Sequence, residues 1–142
     1  MKVHAYLNYG GNCEEAFLFY EKHLGAKLDV MMRFGDVPGG PILDEAWKQK
    51  ILYAHLTISS PDGNTELSGN DVTPDRFQPM RSAYISLGVD SNEDAERIYA
   101  LFSEGGDVFM PMAESFFAHR FAMLRDRFGT SWMIIHQKPM QP

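Results

Sequence analysis

Apolar and polar positions in the first quarter of the chain follow the spacing of a helix placed between two strands. Asn12 stands where a helix would begin, and Glu15 follows three residues later, a pairing typical of an N-terminal capping box. The apolar positions that follow recur at helical spacing: Ala16, Phe19, Tyr20 and Leu24. Gly25 is suited to the left-handed conformation that ends a helix. Strands are predicted on either side, over residues 3–9 and 27–34.

A similar pattern recurs in the second half of the chain. Ser91 is the predicted N-cap, Asp94 its acidic partner, and Gly105 with Gly106 the helix stop. The apolar face of this second helix is formed by four residues: Ala95, Ile98, Tyr99 and Phe102. Two strand–helix units with one constant offset indicate a duplicated architecture.

The remaining segments alternate between apolar and polar residues, as strands do. They cover residues 51–59, 65–69, 82–89, 108–113, 121–126 and 131–136. Residues 35–50 interrupt the alternation with prolines and glycines and are expected to form a loop, with one helical turn over residues 43–48. The element order is therefore βαβββ, twice, which predicts an α+β domain whose helices cover one sheet face and leave the other concave. We expect modules at 1–70 and 82–137, joined by a linker at 71–81.

Composition narrows the class of protein. A chain of 142 residues with 44% hydrophobic and 23% charged residues is typical of one soluble globular domain. The formal net charge of −6 argues against nucleic acid as a partner. The single cysteine, Cys13, excludes an internal disulfide; at a helix start it is either an acidified thiol or, more often, a small buried residue. With no apolar run of membrane-spanning length and no signal-peptide pattern at the start, no membrane partner is expected and the expected location is the cytoplasm.

Several short motifs, in order along the chain, resemble the vicinal oxygen chelate superfamily of glyoxalase I, extradiol dioxygenases and antibiotic resistance proteins. They are Gly11-Asn12-Cys13 with Glu15-Ala16, Phe19-Tyr20, Leu24-Gly25, Ala54-His55, Phe116-Phe117-Ala118-His119, and the run from Asp126 to Trp132. Within the superfamily the likeness is to the PhnB-like branch. The resemblance implies a glyoxalase-like fold, with two modules forming curved mixed sheets around a cavity, and a homodimer. The methyltransferase name attached to the branch is not carried over, because no glycine-rich loop for S-adenosylmethionine is present.

Enzymes of this superfamily mostly hold a divalent metal on the concave face, and the resemblance implies where its ligands would stand. In the second half these positions carry Tyr84 and Met133, which are poor ligands. In the first half they carry Glu66 and either Ala5 or, with a one-residue bulge, His4. We therefore expect no metal and no other cofactor.

The predicted cavity wall combines polar and aromatic side chains from the strand faces opposite the helices. Its members are Tyr53, His55, Glu66, Tyr84, Ser86, Phe116, His119 and Trp132. His55 is the residue best suited to acid–base chemistry, although a histidine in this position more often only satisfies a neighbouring polar group. No catalytic residue is assigned.

Three functions remain open. The favoured one is a metal-free protein that binds a small-molecule ligand in an aromatic cavity. The first alternative is a metal-dependent lyase, isomerase or transferase in which His4, Glu66 or His55 belongs to the ligand set. The second alternative is a metal-free enzyme in which His55 or Glu66 transfers a proton.

Overall fold

Each half of the chain folds into one βαβββ module. The computed structural model describes residues 1–39 and 44–139. Contacts divide the chain into two units, Met1–Gln78 and Pro79–Pro142. The predicted α+β class and the repeated module are both confirmed.

The described part of the first unit contains four strands, one long helix and one short helix. Its elements are β1 (Ala5–Tyr9), α1 (Cys13–His23), β2 (Ala26–Arg33), α2 (Glu45–Lys48), β3 (Ile51–Ile58) and β4 (Thr65–Asp71). The strands form one mixed sheet in the order β1-β4-β3-β2, in which β1 and β4 run parallel and the other pairs antiparallel. A 3₁₀ turn, Phe34–Asp36, follows β2 within the predicted loop, and residues 40–43 of that loop lie outside the described residues.

The second unit repeats this topology. Its elements are β5 (Ile85–Gly88), α3 (Asn92–Ser103), β6 (Asp107–Ala113), β7 (Ala118–Arg125) and β8 (Ser131–Gln137). The sheet order is β5-β8-β7-β6, with β5 parallel to β8. Strand β5 begins three residues later than expected, because Ser82 has a φ of +54°, a left-handed conformation that interrupts an extended chain.

Helix α1 packs on its sheet through a stripe of four buried residues. They are Cys13, Ala16, Phe17 and Tyr20, each 0% exposed. This is the i, i+3, i+4, i+7 spacing of a helix face that covers a core. The prediction that Phe19 belongs to this face is wrong: Phe19 is half-buried at the flank, with its ring centroid 4.4 Å from that of His23. On α3 the buried residues are Ala95, Ile98 and Phe102, all of them predicted.

The start of α1 is held by a residue distant in sequence. Asn12 is the N-cap residue, as predicted, but its side chain does not make the expected cap hydrogen bond to the helix. Instead Asp71, at the end of β4, accepts hydrogen bonds at Oδ1 from the backbone N–H groups of Gly11 and Cys13, each at 3.0 Å. Its Oδ2 accepts from the N–H of Ile51 at 2.9 Å. A carboxylate here also complements the positive end of the helix.

The caps of the second unit are more local. Ser91 caps α3 as predicted, with its hydroxyl oxygen accepting from the N–H of Asp94 at 3.1 Å. Asp126 organises the turn between β7 and β8: it accepts from the backbone N–H groups of Phe128 and Thr130, each at 3.0 Å.

We predict that Asp71→Asn destabilises the protein by about 2–4 kcal/mol, because three N–H groups lose a buried charged acceptor and the new amide N–H₂ must face a donor. Asp71 is 1% exposed. The measurement is urea unfolding followed by circular dichroism. The matched control is Asp75→Asn, an exposed aspartate just beyond β4. A loss no larger for Asp71→Asn than for the control would contradict the role of Asp71.

Candidate functional site

In the part of the chain that the structure describes, one face of the first sheet is covered by α1 and the other face carries no helix. Leu7, Leu56 and Leu67 lie on the covered face and are buried. Since side chains alternate across a strand, and since His55 pairs with Ser68 and Thr57 with Glu66, these four residues share the opposite face. We call this the helix-free face of the first sheet. Its polar and aromatic members are His4, Tyr6, Asp29, Tyr53, His55, Thr57, Glu66, Ser68 and Asn70.

A carboxylate orients the imidazole of His55. Asp29 Oδ2 lies 3.0 Å from His55 Nδ1 and accepts a hydrogen bond from the hydroxyl of Thr57 at 2.6 Å. The Thr57 hydroxyl, and then the hydrogen bond and charge of His55, hold the pKa of Asp29 below its ordinary value. Asp29 reaches this face from β2, where the strand register shifts between Leu28 and Val30.

A second carboxylate lies on the other side of the same imidazole. Glu66 Oε1 is 3.3 Å from His55 Nε2, and Glu66 Oε2 is 3.9 Å from His4 Nδ1. A neutral imidazole has a single N–H and can donate to only one of these carboxylates, whereas an imidazolium donates to both. His55 can therefore donate to both Asp29 and Glu66 only when it is an imidazolium. Otherwise a donor from outside this row of three residues is needed.

Three aromatic rings, those of Tyr6, Tyr53 and His55, lie side by side along the same face. Tyr6 and Tyr53 have ring centroids 6.3 Å apart and planes 19° apart, and Tyr53 and His55 have centroids 6.4 Å apart and planes 27° apart. Tyr6 is 52% exposed, so one ring of the row is open to solvent. Beside them lies an open recess of about 430 Å³, lined by Lys2, Val3, His4, Asn64, Thr65 and Glu66.

One polar atom of this face lacks a partner. Asn70 Oδ1 is shielded from solvent, and no donor among the described residues lies within hydrogen-bonding distance of it. Asn70 follows Glu66 and Ser68 at two-residue spacing on β4 and therefore points to the same side. A shielded carbonyl oxygen without a donor carries an energetic cost in the folded protein.

The predicted residues of the second unit do not form a comparable cluster. Ser86 pairs with Met133 on the face opposite α3. Tyr84, just before β5, is 38% exposed, and its ring centroid lies 6.4 Å from that of Phe109. Phe116 is 92% exposed and contacts Phe117.

His119, which was expected in the cavity wall, lies beside a second imidazole. Its ring centroid lies 4.7 Å from that of His136. His136 Nδ1 is in turn 2.8 Å from the amide oxygen of Asn92, at the start of α3.

The prediction that Trp132 belongs to the cavity wall is wrong. It is 0% exposed, and its ring centroid is 5.2 Å from that of Phe102 on α3. Its indole N–H donates to Asp126 Oδ2 at 2.8 Å. The residue belongs to the core beneath the helix because, in β8, Trp132 and Ile134 share the covered face.

Cys13 is a packing residue at the helix start. It is 0% exposed, and burial, followed by the nearby charge of Asp71, raises the pKa of its thiol. Its environment therefore opposes the acidified thiolate that the helix position alone would allow.

The metal that the resemblance implies does not fit these side chains. His4, rather than Ala5, faces Glu66, since Ala5 pairs with Leu67 on the covered side. Tyr84 and Met133 still offer only a phenol and a thioether. Within the described ranges, no group of three or more His, Cys, Asp or Glu side chains is arranged to hold a metal ion. In the same ranges, no helix is long and apolar enough to cross a membrane.

We predict that Thr57→Val raises the pKa of Asp29 toward its ordinary value, because the hydroxyl that stabilises the carboxylate is the largest cause of the depression. The stability that Asp29 contributes is present above its ordinary pKa and is lost as the pH falls through the depressed value, so the variant loses it at higher pH. The measurement is the carboxyl ¹³C shift of Asp29 against pH. Thr65→Val, an exposed position on β4, is the control. An unchanged Asp29 titration in Thr57→Val would show that the hydroxyl has no such role.

Comparison with known proteins gives one curated relative and several structures that match most of the chain. The chain is 30% identical to protein YjdN of Escherichia coli K12, over 99% of this chain and 100% of that protein. It is 37% identical to protein PA1353 of Pseudomonas aeruginosa, whose crystal structure matches with a TM-score of 0.83 over 98% of this chain and 99% of that one.

More distant structures share the fold alone. A Bacillus cereus PhnB protein, described as a putative 3-demethylubiquinone-9 3-methyltransferase, has 20% identity and a TM-score of 0.78, over 96% of this chain and 99% of that one. A fosfomycin resistance protein, FosX from Listeria monocytogenes, in complex with Mn(II) and a dihydroxypropylphosphonic acid, has 14% identity and a TM-score of 0.61, over 97% of this chain and 92% of that one.

The family model of the glyoxalase/bleomycin resistance protein/dioxygenase superfamily matches residues 2–134. This match covers nearly the whole chain and confirms the resemblance found in the sequence. The chain belongs to the glyoxalase/bleomycin resistance protein/dioxygenase superfamily.

Proposed function

We propose that the protein binds a small organic molecule on the helix-free face of its first sheet. The observation that carries the proposal is the row of three near-parallel rings, Tyr6, Tyr53 and His55, beside the half-exposed carboxylate of Glu66. Sites for small molecules commonly combine aromatic surface with a few fixed polar groups.

The polar groups of this face are held in place before any ligand arrives. Asp29 and Thr57 fix one side of His55, while Glu66 contacts the other side. Preorganised groups lower the entropic cost of binding, which supports a binding role over that of an ordinary solvated sheet face.

The activities in the relatives' names are not transferred to this chain. FosX is described with Mn(II), but the present chain lacks a donor set that fits such a metal within its described residues. The methyltransferase description of the Bacillus cereus protein comes from a structure that shares the fold alone.

A homodimer is part of the proposal, on the strength of the family resemblance. Three neighbouring side chains of β6 support it: Val108, Phe109 and Met110 are 39%, 49% and 47% exposed. Because β6 is an edge strand of its sheet, exposed apolar side chains on it are typical of an edge with which another chain pairs.

We predict that a thermal-shift screen of small organic molecules yields stabilising compounds whose effect is lost in Tyr6→Ala, because a ligand that binds only the folded state raises the melting temperature. The matched control is Leu18→Ala on α1, since Leu18 is 46% exposed against 52% for Tyr6. Hits that persist in Tyr6→Ala, or that are lost equally in both variants, would place the binding surface elsewhere.

A second candidate function is metal-free acid–base catalysis by His55. The specific observation is the hydrogen bond of its Nδ1 with Asp29, which leaves Nε2 as the atom that can exchange a proton. If a compound from the screen is converted to a product, His55→Gln should lower kcat by about 10²–10⁴-fold. Turnover that survives in His55→Gln would eliminate this candidate.

A further inference from the structure

We propose that the ligand of this face is an organic cation that carries an aromatic ring and an N–H donor, such as a protonated arylalkylamine. The inference rests on the proposed function and specifies the chemical class of the ligand. It follows from the charge of the face, from its rings and from the carboxylate of Glu66.

The charge of the face is negative at its centre. Asp29 and Glu66 flank one imidazole, so the row carries a net charge of −1 even when His55 is an imidazolium, and −2 when His55 is neutral. Among the described residues, no lysine or arginine nitrogen lies within 4.0 Å of either carboxylate. Lys27 acts on Asp29 from a greater distance, and Lys2 lines the recess beside Glu66.

The position of Glu66 makes it the carboxylate that a ligand would meet. Thr57 and His55 both bond to the same oxygen of Asp29, Oδ2, so Asp29 has local partners for its charge. Glu66 is 36% exposed, and its only ion-pair partners within 4.0 Å among the described residues are the imidazoles of His4 and His55. When His55 is neutral with its N–H on Nδ1, toward Asp29, it donates nothing to Glu66, and His4 Nδ1, at 3.9 Å, lies beyond hydrogen-bonding distance. An ammonium group then supplies the donor.

The rings beside Glu66 favour a cation as well. The faces of Tyr6 and Tyr53 carry the negative part of the ring quadrupole, which attracts a cation placed over them. An aromatic group on the same ligand would extend the near-parallel row of rings. A ligand anion would instead meet two carboxylates and two electron-rich rings.

The carboxylate of Glu66 also selects the kind of cation. Its oxygens accept hydrogen bonds, and a protonated amine has N–H groups to donate whereas a quaternary ammonium has none. Glu66 lines the recess together with His4 and Thr65, so a ligand in the recess meets this carboxylate.

The test compares three probes that share a phenyl ring and differ in charge: 2-phenylethylammonium, 2-phenylethanol and 3-phenylpropanoate. Each is titrated at matched ionic strength into the ¹⁵N-labelled full chain, and Kd is obtained from backbone amide shifts. We expect the ammonium to bind about fivefold more tightly than the alcohol, as one ion pair with a partly exposed carboxylate provides. The propanoate should bind most weakly.

Two variants assign the effect to the carboxylate. Glu66→Gln keeps the shape of the side chain and removes its charge, so the Kd of the ammonium should approach that of the alcohol, whose own Kd should not change. Glu15→Gln is the matched control, because Glu15 is exposed on α1, which covers the other face of the same sheet. Both Kd values should stay at the wild-type level in the control.

The outcomes separate this inference from the proposed function. If the alcohol or the propanoate binds on the helix-free face as tightly as the ammonium, the cation assignment is wrong and the proposed function stands. The same conclusion follows if Glu66→Gln leaves the preference for the ammonium unchanged. If no probe shifts the amides of β1, β3 and β4, and the thermal screen yields no compound that depends on Tyr6, both are wrong.

Discussion

The structure depends on one constraint: in the part of the chain that the structure describes, each four-stranded sheet has a single long helix, and that helix can cover only one of its two faces. Side chains alternate along each strand except where the register shifts, as at Asp29 in β2, so position in the strand decides whether a residue lies on the covered face or on the helix-free face. In the first unit Leu7, Leu56 and Leu67 lie on the covered face. His55 and Glu66 lie together on the helix-free face. Core and candidate site are thus two products of the same alternation.

The two units share a topology but differ in the chemistry of their open faces. Each unit also contains a buried aspartate that bonds separate elements together. Asp71, at the end of β4, accepts a hydrogen bond from the start of α1. Asp126 accepts hydrogen bonds from the turn before β8 and from the indole of Trp132. The open face of the first unit carries carboxylates and imidazoles, whereas Ser86 of the second unit pairs with Met133. The two units therefore share a framework and differ in the side chains of the sheet face opposite the helix.

Alternation and glycine placement were enough to predict the repeated fold, the cap at Ser91 and the shared face of Tyr53, His55 and Glu66. Contacts between distant strands were not predictable in this way. The helix cap by Asp71 joins residues 58 positions apart, and the Asp29–His55 contact depends on a register shift in β2. The prediction that Trp132 lines the cavity is wrong because the hydrogen bond from its indole N–H to Asp126 holds the side chain on the covered face. The local sequence pattern predicts helices, strands and their faces. Which residues contact each other across the sheet depends on strand register and on hydrogen bonds between residues distant in sequence.

The central claim is that the open face of the first sheet is the binding surface. It is tested most directly by mapping the stabilising compounds of an unbiased small-molecule screen onto the protein by backbone amide chemical shifts. The account predicts that the perturbed amides cluster on β1, β3 and β4, around Tyr6, His55 and Ser68. Perturbations centred instead on β6 and β7 of the second unit would contradict it.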